Sequence, residues 1–393
     1  MPVELEKSKI IYTNWLHCDS LAAAHNVKPF GKEFYKILGS YLSFATKSGV
    51  NMIMVPLITP PLDTYYKGYR KNVQLLDVSI KNGEYVFDFE KLGEFIDFVV
   101  GCGIKKYEFP PLFSQWDAKY AASVIIRSEN GQVKRFFGWN TPSDDENYLR
   151  FIGLMLSGLR EYLKNKEILQ NCYFHICDEA RDKGGLYSRL RSAVTDNVFG
   201  GKFIDTSVSY LPQAQNDLEI CDVLSLSQAD EAIKFGCKPK AIYYCWSDYK
   251  NYVSNRFFCM PLSRTAVICL QAYLNDCHVL LHWAFNFYQD FLSHYYLDPN
   301  GVTDMGGVFP SGDAFVVYPN VVGKKADSSL RLEAIARGFK LYRLLLAYEK
   351  VFGTEKTKNI LKKFGMSGYN CYPHSDEWLI NLESLLLDRL SKI

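Results

Sequence analysis

The chain has 393 residues, 48% of them hydrophobic, with 45 Lys plus Arg against 43 Asp plus Glu for a formal charge of +2. That balance leaves no electrostatic footprint for nucleic acid, and no apolar run approaches the roughly 20 residues that span a bilayer. Neither a nucleic-acid partner nor membrane insertion is therefore expected.

Strand and helix signals alternate from one end to the other. Ile10–Asp19 is predicted as a first strand and Gly31–Gly49 as an amphipathic helix stopped by glycine. Asn51–Thr59 is a second strand, followed by a polar, Tyr-rich insertion with a hairpin turned at Asn82-Gly83. Phe89–Val100 is a helix, Lys105–Pro110 a third strand, and Pro111–Trp139 an excursion turned at Asn130-Gly131. Ser143–Lys164 is a long helix, capped by Ser143 with Glu146 three residues on. A fourth strand runs through Cys172-Tyr173-Phe174-His175-Ile176-Cys177 to Asp178-Glu179, and Leu186–Val198 is the helix after it. Lys202–Val208, Asp222–Ser227, Lys240–Trp246 and His278–Phe287 are the remaining strands. Helices at Asp230–Phe235, Leu262–Asn275 and Ser328–Tyr348 complete the pattern. Eight strands alternating with helices argue an α/β fold, a single-domain (β/α)8 TIM barrel over residues 1–348, with a small C-terminal helical appendage over 349–393.

The 11 cysteines are odd in number, scattered, and lack a Cys-x-x-Cys pair, which reads as reduced thiols in a large chain. The start, Met1-Pro2-Val3-Glu4-Leu5-Glu6-Lys7, is charged. The expected location is cytoplasmic, or secreted if a leader has been removed.

Active sites of such barrels lie at the C-terminal strand ends. Those ends carry His17 and Asp19, Glu108, Asp178 and Glu179, the run Tyr243-Tyr244-Cys245-Trp246, and Trp283 with Asn286. Trp116 and Trp139 fall in loops of the same face, so five of the six tryptophans, all but Trp378, gather near one rim. Indole and phenol faces suit the C–H-rich faces of sugar rings. Burial in the core accounts for any single aromatic equally well; the clustering is what points to carbohydrate.

The pentad His175-Ile176-Cys177-Asp178-Glu179 is the sharpest signal. Adjacent carboxylates oppose each other's ionisation, so one tends to hold a proton while the other stays charged, as an acid–base pair requires. Helix capping is the plainer reading of an Asp-Glu pair; the strand before it and the aromatic rim tip the balance. A conventional retaining glycosidase needs two carboxyl groups about 5 Å apart on opposite sides of the scissile bond. The strand-seven end, Tyr243-Tyr244-Cys245-Trp246-Ser247-Asp248, has no Glu, and strand eight has none. A substrate bringing its own nucleophile, the acetamido oxygen of an N-acetylhexosamine, removes the difficulty.

Other chemistries are weaker. His17, Asp19 and His175 as a metal site is less favoured than substrate hydrogen bonding, so no metal and no cofactor are expected. His278 and His282, four apart in a strand, read as structural. Gly101-Cys102-Gly103 is a helix stop, nucleophile-elbow motifs are absent, and Asp313 reads as a turn residue.

The sequence resembles glycoside hydrolase family 123, the β-N-acetylgalactosaminidases, and the group sharing their barrel. The likeness is carried by Trp15-Leu16-His17-Cys18-Asp19, Leu112-Phe113-Ser114-Gln115-Trp116, Phe137-Gly138-Trp139 and Phe174-His175-Ile176-Cys177-Asp178-Glu179. Leu281-His282-Trp283-Ala284-Phe285-Asn286, Gly312-Asp313, Val317-Tyr318-Pro319 and Ser329-Leu330-Arg331-Leu332-Glu333-Ala334 extend it. Departures stand at Pro111, Asp117, Ala180 and Ala314. They bear on substrate choice more than on the fold or the catalytic pair.

The resemblance implies a retaining, substrate-assisted hydrolase of terminal β-linked N-acetylgalactosamine acting on oligosaccharide or glycoconjugate. It makes Asp178 the residue that orients the acetamido group and Glu179 the general acid/base. The sugar pocket would draw on His17, Asp19, Gln115, Trp116, Tyr244, Trp283 and Asn286. The competing expectation is a non-catalytic or differently specific carbohydrate-binding barrel of the same family.

Overall fold

The structure, a computed structural model, describes residues 8–62, 70–179, 185–195, 202–207, 220–244 and 253–392. Eight parallel strands close into a barrel: β1 (Ile11–Asn14), β2 (Met52–Met54), β3 (Lys106–Phe109), β4 (Cys172–Phe174), β5 (Lys202–Ser207), β6 (Ile220–Ser225), β7 (Ala241–Tyr244) and β8 (Val279–His282). They pair in chain order, and β8 returns to β1 in the register Ile11 to Val279 through Asn14 to His282. The alternation predicted the fold class and all eight strands.

Strands β2 and β8 are short, largely apolar runs because both faces are covered. Met52-Ile53-Met54 and Val279-Leu280-Leu281-His282 are buried at every residue, as expected of parallel strands between a filled interior and an outer helix layer.

The outer layer begins with α1 (Cys18–Ala24) and α2 (Lys32–Lys47), then α3 (Glu90–Gly101), α4 (Glu146–Asn165) and α5 (Leu186–Thr195). It continues with α6 (Leu226–Lys234), α7 (Leu262–Ala266), α8 (Ile268–Leu274) and α9 (Leu330–Phe352). Helix α2 shows the logic: Phe34, Ile37, Leu38, Tyr41, Leu42 and Ala45 recur at three- and four-residue spacing and all are buried. Burying each of the larger apolar side chains is worth roughly 1.5–3 kcal/mol before entropy is charged.

Helix α9 is buried along most of its length, including Leu344-Leu345-Leu346, because it lies between α7 and α8 on one side and α11 (Asp376–Ser391) on the other. At Gly338 a Cβ would stand 2.3 Å from the Ala266 carbonyl oxygen, so only glycine lets α9 approach α7 this closely. The intervening α10 (Thr354–Lys363) also packs on α9. Among the described residues no helix is long and apolar enough to cross a membrane.

The loops after β2 and β3 each contribute a hairpin, Asp77–Lys81 with Glu84–Asp88 and Val124–Arg127 with Val133–Phe137. The two join as a four-stranded sheet through the parallel pairing of Ser79 with Arg127. Tyr85, Phe87 and Phe137 pack their rings on Phe151 of α4, which ties this added sheet to the barrel's flank.

Several local expectations need correction: β2 and β8 stop at Met54 and His282, short of Thr59 and Phe287, and α6 begins at Leu226 instead of Asp230. The cap of α4 is Asp145, whose carboxylate accepts from the Tyr148 amide. Ser143 is buried, and its amide donates instead to the Lys119 carbonyl, so the helix starts three residues later than predicted. The first strand stops at Asn14, and Asp19 lies in α1.

Candidate active site

Strand pairing of β4 ends at Phe174 because other groups take over the backbone beyond it. The Ile176 carbonyl accepts from the amides of Leu112 and Phe113, both at 3.1 Å, and the Asp178 carbonyl accepts from Trp116 N–H at 2.9 Å. On the other side, Asp205 Oδ1 in β5 accepts from the amides of Ile176 at 2.8 Å and Cys177 at 3.4 Å. Residues 175–179 therefore form a turn gripped between the loop after β3 and strand β5.

Glu179 adopts φ +49°, and Trp116 opposite it φ +70°. The left-handed region costs a residue with a side chain roughly 1–2 kcal/mol, and such outliers concentrate at functional sites. In a regular strand consecutive side chains point to opposite faces. Here the turn lets consecutive carboxylates be met by the consecutive residues Gln115 and Trp116. Gln115 Nε2 donates to Asp178 Oδ2 at 2.7 Å, and Trp116 Nε1 donates to Glu179 Oε2 at 3.2 Å. Tyr243 at the end of β7 donates its hydroxyl to Glu179 Oε1 at 3.1 Å. Asp178 is buried and Glu179 half-buried.

Below this turn lies a buried ionic layer. Glu108 of β3 accepts from Thr13 Oγ1 at 2.5 Å, from Trp15 Nε1 at 2.9 Å and from His175 Nε2. His175 Nδ1 stands 3.5 Å from Asp205 Oδ1, and Tyr187 of α5 donates to Asp205 Oδ2 at 2.5 Å. Burial opposes a charge on His175, but Glu108 and Asp205 on its two sides outweigh it and raise the imidazole to about 9. Glu108 and Trp15, read near the rim from the sequence, are both fully buried and bonded to each other in this layer.

His17, Asp19 and Asn286 meet in a second cluster with Arg70, which sequence reasoning did not single out. Arg70 Nε donates to Asp19 Oδ2 at 2.7 Å and its NH2 group to His17 Nδ1 at 2.9 Å. Since guanidinium only donates, His17 Nδ1 is the acceptor, and Nε2 carries the proton given to the Trp283 carbonyl at 3.0 Å. Burial first, then the Arg70 charge, lower His17 to about 4. Gln289 Nε2 donates to Asp19 Oδ2 at 2.8 Å. Asn286 and the His17 backbone exchange two hydrogen bonds, at 2.8 and 3.1 Å.

Trp283 is buried and donates Nε1–H to Asp313 Oδ2 at 3.1 Å, so the turn residue Asp313 also holds an indole. Tyr244 ends β7, but its side chain, like all of Trp246, Asp248 and Ala180, lies outside the described residues. Among the described residues no group of three His, Cys, Asp or Glu could hold a metal ion.

Arg70 and Asp205 were missed, and Tyr243, read at the strand-seven end, was left out of the sugar pocket. Arg70 sits 51 positions from Asp19 with no local pattern to announce the pairing. Tyr243 lies beside Tyr244, and strand alternation alone does not choose between them. Asp205 left the clearest trace: a carboxylate within the strand run Lys202-Phe203-Ile204-Asp205-Thr206-Ser207 must find partners.

The sequence matches the family description "Glycoside hydrolase 123, catalytic domain" over residues 15–347. No curated protein matches it. Among solved structures, the fold is similar to a family 123 glycoside hydrolase from Clostridium perfringens whose study concerned glycolipid glycan hydrolysis. The TM-score is 0.69 at 15% identity, covering 98% of this chain and 69% of that one. A maltogenic α-amylase from Thermotoga neapolitana is 12% identical over 87% of this chain and 77% of its own, at a TM-score of 0.39.

Proposed function

The chain belongs to glycoside hydrolase family 123, and on that footing we propose that it removes terminal β-linked N-acetylgalactosamine with retention, by substrate assistance. The observation that carries this reading is the held pair: Asp178 on Gln115, and Glu179 on Trp116 and Tyr243. Neighbouring residues on one turn do not flank a scissile bond from opposite sides, as an acid and a protein nucleophile must. The other buried carboxylates described around the barrel are engaged elsewhere. Asp19 binds Arg70, Glu108 binds His175, Asp205 holds two backbone amides, Asp230 accepts from the Tyr369 amide, and Asp313 holds Trp283.

The sequence of steps follows. The acetamido carbonyl oxygen of the bound sugar attacks C1 while Glu179 delivers its proton to the departing glycosidic oxygen. Asp178 accepts a hydrogen bond from the acetamido N–H and offsets the positive charge of the oxazolinium ring. Glu179, now a carboxylate, takes a proton from water as that water attacks C1 from the face the aglycone left. The ring opens, and two inversions give net retention. Trp283, Trp116 and Tyr244 would frame the sugar, with His17, Asp19 and Asn286 supporting the Trp283 side of the pocket.

The test is a panel of chromogenic β-glycosides with and without a 2-acetamido group, extended to glycolipid glycans, with the first-formed product anomer read by NMR. Cleavage of β-N-acetylgalactosaminides with retention, undiminished by chelator, is expected. Robust cleavage of plain β-galactosides or β-glucosides would overturn the mechanism, because such substrates carry no internal nucleophile. Binding without turnover of any member would favour the non-catalytic barrel.

A further inference from the structure

Three ionisable side chains beneath the catalytic turn have no part in the steps above. Glu108, His175 and Asp205 are all buried, and they run in contact from β3 past the end of β4 to β5. Removing charged groups from water costs several kcal/mol each, and an apolar trio of the same volume often serves a fold as well. An ionic layer in that place therefore calls for a reason beyond packing.

Its connections supply one. At one end Thr13 and Trp15, in and just after β1, donate to Glu108. At the other, Asp205 accepts from the amides of Ile176 and Cys177, the two residues immediately before Asp178. A carboxylate that pins consecutive amides sets the backbone direction in which the next two side chains leave the turn. A charged imidazolium suits a His175 flanked by two carboxylates: Nε2 bonds Glu108, Nδ1 stands 3.5 Å from Asp205 Oδ1 in ionic contact, and Tyr187 holds the far oxygen of Asp205.

We propose that Glu108, His175 and Asp205 are positioning residues, a buried carboxylate–imidazole–carboxylate array that clamps the Asp178–Glu179 turn through the Ile176 and Cys177 amides. The inference rests on the functional reading above for what the turn does, and on geometry alone for how the turn is held.

The experiment compares Asp205→Ala with Asp205→Asn in the full chain. Asparagine keeps an acceptor oxygen for the two amides; alanine has none. Displacing catalytic groups by about 1 Å costs roughly 100-fold, so Asp205→Ala should lose about 100-fold in kcat with KM within about threefold, and Asp205→Asn should recover to within about tenfold of wild type. Amide hydrogen exchange in the peptide 172–179 should quicken in Asp205→Ala and stay near wild type in Asp205→Asn, whether or not the substrate is correctly identified.

The wild-type substrate panel judges the functional reading by itself. If another glycoside is the one cleaved, that glycoside reports the two variants equally well. Wild-type kcat in Asp205→Ala would overturn the clamp. So would unchanged exchange at 172–179, or an Asp205→Asn variant no better than Asp205→Ala with protection lost across the whole barrel.

Discussion

Replacing Glu179 by glutamine isolates proton donation from everything else that residue does. The amide has nearly the same shape, and both observed partners can adapt to it. Trp116 Nε1, 3.2 Å from Oε2, is donor-only and must face the amide oxygen, while the Tyr243 hydroxyl, 3.1 Å from Oε1, can turn to accept from the NH2 group. Both bonds stay neutral, as they are to the protonated acid, and their exchange costs little, which leaves the barrel folded. The missing proton costs far more. General-acid catalysis contributes roughly 10²–10⁴-fold, or about 2.7–5.5 kcal/mol at 1.36 kcal/mol per tenfold.

That cost falls only on leaving groups that need protonation. In kcat/KM measured over aryl β-N-acetylgalactosaminides of increasing leaving-group basicity, ending with a sugar aglycone, Glu179→Gln should lose about 10³-fold at the basic end and less than about tenfold on a dinitrophenyl glycoside. Equal losses along the series would refute the assignment of Glu179 as the acid.

Asp178→Asn should depress both leaving-group classes alike, because ring closure is impaired whichever aglycone departs. A thiazoline mimic of the cyclic intermediate should inhibit wild type far better than N-acetylgalactosamine, and equal inhibition would remove substrate assistance. Arg70→Met should lower stability by about 3–5 kcal/mol in chemical unfolding, since it strands the buried Asp19 carboxylate. Burial opposes ionisation of Asp19, but Arg70 outweighs it and holds the carboxyl below its ordinary value. Adding Asp19→Asn to Arg70→Met should restore part of the loss.

Stability should also vary with pH on both sides of about 6.5, the ordinary histidine value. His175, raised to about 9, contributes fully below about 6.5 and loses its contribution as pH rises to about 9, up to about 3 kcal/mol at 1.36 kcal/mol per unit. His17, lowered to about 4, acts oppositely: the unfolded chain takes the proton first, so stability declines as pH falls from about 6.5 to 4. In urea unfolding across pH, His175→Gln should flatten the alkaline limb and leave the acid limb in place.

The barrel was determined by the sequence because its signals are local. A buried parallel strand needs only a short apolar run, a flanking helix needs three- and four-residue spacing, and the hairpin turn at Asn82-Gly83 needs a residue tolerant of positive φ next to glycine. The Asp178–Glu179 pair was legible for the same reason, as a chemical break at the end of an apolar run.

Tertiary structure decided where the strand before that pair stops. Periodicity carries the strand to Cys177, whereas pairing ends at Phe174, because Leu112, Phe113 and Asp205 claim the backbone groups of Ile176 and Cys177. It also decided which side chains hold the carboxylates and which hold each other. Tyr243 reaches Glu179 across 64 positions and Arg70 reaches Asp19 across 51, contacts that exist only after the barrel closes. Such partners carry no period and no spacing; the free energy of burying a charge selects them, and that free energy appears only in three dimensions.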